Sequence, residues 1–382
     1  MNAGKRSKQI FLGMSFLVIL FSLGWFCSFL LETSELAEVS TAKKNDRTDV
    51  AMQMEAEINS EPGALQTADK TCPSDADPMT EVQDLSKTDW AELHESIIET
   101  ALRSKSIDLL LLGAYTTSVF EQSDELLELA LEQNPEDPEV LWHAANLCAN
   151  ARDGDVCERH DWWDRLVEAD GQNARAWMGY ATFYYRKGDA KKALRGLQQA
   201  ASMPEANGYF VESIQLYERA YAVTTDWSFQ QRVAGAFSIL AVKMPPFTPI
   251  VKFCQEAGEH SVEVARLCMT YWQKMYQSPM SNELESLLAR DMIPAMLVLM
   301  GREADAEALR SENKKSYGDQ ENAIVVQKRI DQSAIFERYA IATPERFARF
   351  LELTRSHGER GARMQMLAEQ QALIDQGRLD PC

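Results

Sequence analysis

Five histidines and seven cysteines are the residues of this 382-residue chain best suited to chemistry. His94, His143, His160, His260 and His357 form no HExxH pair, which would set two imidazoles on one helix face around a zinc ion. None lies at zinc-finger spacing from a cysteine pair. One group has helical spacing: Cys157, His160, Asp161 and Asp164. It has the donor types for a metal, but short polar side chains on one helix read more simply as a solvated face. No GxGxxG or GxxxxGK[ST] loop offers backbone amides to a phosphate, and no GxSxG turn presents a nucleophilic serine. The absence of CxxC removes the usual dithiol redox centre and the usual haem attachment. The expectation is no catalytic residue, no cofactor and no metal. The adjacent Trp162 and Trp163 read as one core and one surface residue, with ligand stacking as the sharper alternative.

The elements that must carry these residues are helical. Ala, Leu, Glu, Gln, Arg and Met dominate after residue 90, while runs of β-branched residues are scarce. With 58 acidic and 39 basic side chains the net charge is −19. That argues against a general nucleic-acid binder, which needs clustered Lys and Arg to neutralise phosphates.

Residues 10–31, IFLGMSFLVILFSLGWFCSFLL, are 22 in a row without a charge. As a helix they would extend about 33 Å, close to the hydrocarbon thickness of a bilayer. Lys5, Arg6 and Lys8 precede them, and Glu32, Glu35 and Glu38 follow. The positive-inside rule then keeps residues 1–9 in the cytoplasm and exports the rest. A cleaved signal peptide is the competing reading, but its apolar core is shorter and ends in small residues. Residues 32–89 hold 14 acids against 5 bases and no aromatic residue. Such a segment cannot bury enough apolar area to offset its ordering entropy, so it reads as a disordered acidic linker.

Repeats come next. In AWMGYATFYYRKGDAKKALRGLQQA (176–200), large and small residues alternate at helical spacing: Trp177, Tyr180, Ala181 and Tyr184, then a turn at Gly188, then Ala193, Leu197 and Ala200. Small residues let two helices approach, and large ones fill the space between hairpins. This stretch resembles the tetratricopeptide repeat, a helical hairpin of about 34 residues. Weaker units begin at Pro138 and Ser104, although Leu111 stands where the family favours a small residue. The expected fold is all-α: a transmembrane helix, the linker, tetratricopeptide-like repeats over 90–207, and a C-terminal helical region over 208–382. That last region reads as degenerate repeats continuing an α-solenoid, with a separate helical domain as the alternative.

The resemblance implies a concave groove lined by the first helix of each hairpin. Its positions fall on Tyr115, Trp142, Asn146, Asn150, Arg175, Met178, Tyr185 and Arg186, among others. Aromatic residues and Arg suit peptide recognition. The alternative is that these residues solvate the face or pack against downstream helices. The resemblance also places Cys148 and Cys157 on facing helices of one hairpin, which makes them a disulfide candidate. Cys254 and Cys268 flank a turn expected at Gly258 and are the second. Four cysteines permit three connectivities, and reduced thiols are the competing state.

The function this implies is a membrane-anchored scaffold or adaptor in the bacterial periplasm. It would hold a protein or peptide partner in the groove, bind no nucleic acid, and have some scope for self-association. A eukaryotic lumenal protein would share the layout. An enzymatic or ligand-binding module after residue 208, targeted by the repeats, is the alternative.

Overall fold

The computed structural model describes residues 87–117, 119–150, 160–243, 247–278, 281–316 and 339–378. All belong to one unit spanning 67–382. The expected basic terminus, the anchor at 10–31 and nearly all of the linker lie outside these residues, as do Cys157 and residues 244–246. Among the described residues every regular element is a helix, and no helix is long and apolar enough to cross a membrane.

Helix α1 (Lys87–Ser104) begins inside the last residues assigned to the linker. It ends where Lys105 adopts a left-handed φ of 56°, and α2 (Ile107–Thr116) starts at once. The sequence of α2, IDLLLLGAYT, is apolar nearly all round, and Leu109 to Thr116 are all buried. A helix with no polar face must be surrounded, and this one packs against α1, α3 (Phe120–Gln133) and three later helices. That explains why Leu111 is tolerated at a position expected to be small. Next come α4 (Pro138–Asn150), α5 (Trp162–Ala169), α6 (Ala174–Arg186) and α7 (Ala190–Ser202).

The α6–α7 hairpin is closely specified by its sequence. Asn173 and Asp189 cap the two helices through their side chains, accepting from the Arg175 and Lys192 amides. Gly188 supplies the turn with φ 78°. The helices approach so closely that a Cβ on Gly196 would stand 3.0 Å from Ala181 Cα.

Beyond residue 208 the order of packing changes. Helices α8 (Phe210–Thr224) and α9 (Phe229–Lys243) form a hairpin that does not stack on α7. Instead α8 packs against α1, α2 and α14 (Pro344–Asp375), and α9 packs against α2. The next layer on α6–α7 comes from α10 (Phe247–His260) and α11 (Val262–Gln277), which contact α6 and α7 respectively. Helices α12 (Glu283–Leu299) and α13 (Glu303–Ser316) follow.

Helix α10 starts at Phe247 with Pro249 in its first turn, where a missing N–H costs nothing. One local expectation changes. The turn expected at Gly258 lies at Ser261, whose side chain caps α11 by accepting from the Val264 amide. Gly258 stays helical and faces Leu299 and Ala265 at close range. Thr343 and Pro344 start α14 as their types predict, and α14 bends at Gly358, where φ is 75°.

Cys254 and Cys268 are joined by a disulfide between α10 and α11, with Cα atoms 5.8 Å apart. Cys148 is also disulfide-bonded; Cys157 lies outside the described residues. Closing a loop of the α10–α11 size stabilises a fold by about 3 kcal/mol in the chain-entropy account. Cys254→Ala/Cys268→Ala is expected to lower unfolding free energy by about that amount, read from urea curves under non-reducing conditions. Equal midpoints for variant and parent would contradict it.

Candidate functional site

The reversal that sends α8 back across the earlier hairpins is built from short-range polar contacts. Asn173 is fully buried. Its Oδ1 accepts from the Arg175 and Asn207 amides, and its Nδ2 donates to Asp170 Oδ2 and to the Asn207 carbonyl. Tyr209 follows in a left-handed conformation, φ 54°, an uncommon backbone for a bulky residue. Its hydroxyl donates to Asp170 Oδ2 at 2.5 Å. These contacts pin the start of α8 to the start of α6.

As a result, the chain's own helices occupy the expected groove positions. Tyr115 is buried, meets His143 edge-on and lies 6.2 Å, ring to ring, from Tyr217 of α8. Trp142 is buried against Tyr209. Asn146 is buried with Nδ2 bonded to the Trp142 carbonyl, and Met178 is fully buried. Tyr185 packs on Phe253 of α10 and donates to Glu256. Arg186 is exposed. The side chain of Asn150 lies outside the described residues. At the far end Asp108 accepts a two-pronged bond from Arg219 of α8 at 2.7 and 3.0 Å.

Arg175 is the hub of this face. It is 4% exposed and pairs at 2.6 Å with Glu285, itself buried, at the start of α12. Its guanidinium also stands 5.3 Å from the Trp142 ring centre. Glu285 closes the capping box of α12 with Asn282, so one carboxylate both caps a helix and neutralises a buried cation. The pair ties α6 to the C-terminal helices. It passes beneath Gly208, where an added Cβ would stand 1.6 Å from Arg175 Nη1. Gly208→Ala must therefore displace the guanidinium, and a loss of about 1–3 kcal/mol is expected in denaturant titration. A neutral effect would mean that Arg175 does not run under this loop.

Between the packed helices a narrow recess remains. Trp142, Asn146, Trp163, Arg175, Thr182 and Phe183 line it, with Arg186 at its exposed side and Pro249, Ile250 and Tyr271 opposite. It encloses about 490 Å³ of space, open solvent included, and is narrow throughout. It is a slot for one side chain rather than a chamber for a cofactor. Gly179 makes the slot possible, since a Cβ there would meet the Trp163 ring at 2.0 Å. The Trp163 indole N–H is buried and has no hydrogen-bond acceptor among the described residues. Four of the expected groove residues, Trp142, Asn146, Arg175 and Arg186, meet here.

A buried polar seam runs under α8. Ser213 Oγ lies 3.3 Å from His143 Nε2, with both residues buried. Burial lowers the His143 pKa to about 3. Burial, then the neighbouring Glu212 and Asp137 charges, raise Glu139 to about 7. Burial also raises the Tyr115 and Tyr217 hydroxyls. The Ser213–His143 pair links α4 to α8. A second recess, of about 240 Å³, lies beside Asn207, Glu212, Asn282 and Thr354. It carries one acid and no convergent set of catalytic groups.

The helix-spaced group around His160 is distributed differently from the sequence expectation. Asp164 is taken by the Tyr184 hydroxyl and by Lys192. His160 turns instead toward Asp124 and Glu128 of α3. Trp162 and Trp163 are both core residues, 2% and 4% exposed, because α5 is a short helix wedged between α4 and α6. The occupants of the face, Tyr209, Ser213, Tyr217 and Glu285, carry no motif. Their one sequence signal is Asn282 followed by Glu285, a capping pair. No protein-family model, curated protein or solved structure matches the chain.

Proposed function

We propose that the protein is a membrane-anchored scaffold that holds a protein partner on the periplasmic side of a bacterial inner membrane. The slot between α4, α5, α6, α10 and α11 carries this reading. It gathers aromatic walls and an exposed arginine on an otherwise self-covered face. Such a slot suits one projecting side chain with an acceptor oxygen, or a chain terminus, from an extended peptide. The apolar run at 10–31 with its basic flank supports the anchor. The Cys254–Cys268 disulfide fits an oxidising compartment. The resemblance of residues 104–207 to tetratricopeptide repeats supports protein binding rather than catalysis.

Because Trp142 is buried in the fold, a probe of recognition must sit at the slot mouth. Arg186→Glu is expected to abolish capture of a crosslinked partner from native membranes by a protein that still unfolds cooperatively. Undiminished capture by a folded Arg186→Glu protein would remove the slot from the account.

A further inference from the structure

We propose that Asp124, Glu128 and His160 form a binding site for one divalent transition-metal ion of the zinc class. Asp124 and Glu128 lie on consecutive turns of α3, and His160 stands just before Asp161, the N-cap residue of α5. His160 Nε2 is 3.2 Å from Asp124 Oδ1 and 3.6 Å from Glu128 Oε1. All three donor atoms lie within 4.8 Å of one another. A tetrahedral ion with bonds of about 2.0–2.2 Å has donor–donor edges of roughly 3.3–3.6 Å. The His160–Glu128 edge falls in that range and the His160–Asp124 edge lies just below it, so an ion fits with little movement.

Three further features point to a metal rather than a fortuitous ion pair. The His160 ring lies flat on Trp162, with centroids 4.3 Å apart and planes 3° apart, and Trp162 is a core residue. The imidazole is thereby oriented before any ion arrives. The burial is graded: the side chains of Asp124 and His160 are 11% and 18% exposed, and Glu128 is 55% exposed. Two ligands are therefore fixed in the protein, and the third stands at an opening that leaves a coordination position to water. The donor set also suits a dication: two carboxylate oxygens and one imidazole nitrogen converge. A nitrogen donor among the three favours zinc over magnesium or calcium, which prefer oxygen shells. Bound there, the ion would fasten the start of α5 to α3.

The test titrates zinc chloride into the full chain, solubilised in detergent and stripped with chelator, by calorimetry, with magnesium chloride as control. The expected result is one zinc per chain, negligible magnesium binding, and a zinc-dependent rise in melting temperature. Glu128→Gln and His160→Ala should each weaken zinc by at least about tenfold, since loss even of an outer-shell partner costs 10–100-fold. Glu128 is half-exposed, so its substitution leaves the core intact and keeps the test valid should the histidine variant fold poorly. Absence of zinc binding would leave the three residues as an ion pair alone. Zinc binding unchanged in Glu128→Gln, or matched by magnesium, would place it elsewhere and overturn the assignment.

Discussion

Arg175→Met is expected to destabilise the folded unit by about 3–5 kcal/mol, the cost of stripping the partner from a buried charge. The side chains of Arg175 and Glu285 are 4% and 3% exposed, so methionine would leave the carboxylate desolvated at the start of α12. A second substitution separates this from lost packing. Gln at position 285 keeps the reciprocal cap with Asn282, because Gln serves in a capping box as Glu does, but it carries no charge. Arg175→Met/Glu285→Gln should therefore recover most of the loss. The measurement is a double-mutant cycle in urea. A double variant as unstable as Arg175→Met alone would mean that packing around Trp142, and not the buried charge, sets the cost.

His143 should make the fold sensitive to acid, and Glu139 should mask this over part of the range. The folded protein holds His143 neutral down to about pH 3, whereas the unfolded chain takes up the proton near pH 6.5. Between those values the unfolded state binds more protons, so stability falls as pH falls, by a total on the order of 5 kcal/mol. Glu139 acts in the opposite direction. Its folded pKa is raised to about 7 from an unfolded value near 4.3. The folded state keeps its proton longer, and stability rises as pH falls through that interval. The two contributions nearly cancel between about pH 6.5 and pH 4.5, and below that the His143 loss is unopposed. In Glu139→Gln the acid loss should therefore begin near pH 6.5, with a slope of about 1.4 kcal/mol per pH unit. His143→Gln should flatten it. Superimposable pH profiles for the parent and Glu139→Gln would contradict the linkage.

The hairpins were legible because their signals are local. Asn173 and Asp189 as caps, Gly188 in the turn, and the small Ala181 facing Gly196 specify α6–α7 from a few dozen residues. The all-helical class followed from composition, and the Cys254–Cys268 pair followed from two cysteines on adjoining helices. The covering of the face was not legible. Arg175 and Glu285 are 110 positions apart, and Asp108 and Arg219 are 111 apart. Nothing in periodicity links such distant positions. An amphipathic α8 reads the same whether it stacks at the end of a solenoid or folds back. The choice rests on the Asn173–Asn207 contacts and the left-handed Tyr209, and these are side-chain geometries rather than patterns. His160 was similarly assigned to its own helix because sequence spacing cannot show that its ring leans across to α3.

The central claim is that α8 of the same chain covers the aromatic face and that a partner reads only the slot. A photo-crosslinking phenylalanine derivative placed at position 115 and, separately, at position 186 of the full chain in native membranes tests it most directly. From position 115 the account predicts an intramolecular product carrying the 210–224 peptide and no partner. From position 186 it predicts a discrete adduct with a second protein. A partner adduct from position 115, with the 210–224 product absent, would show an open groove and contradict the account.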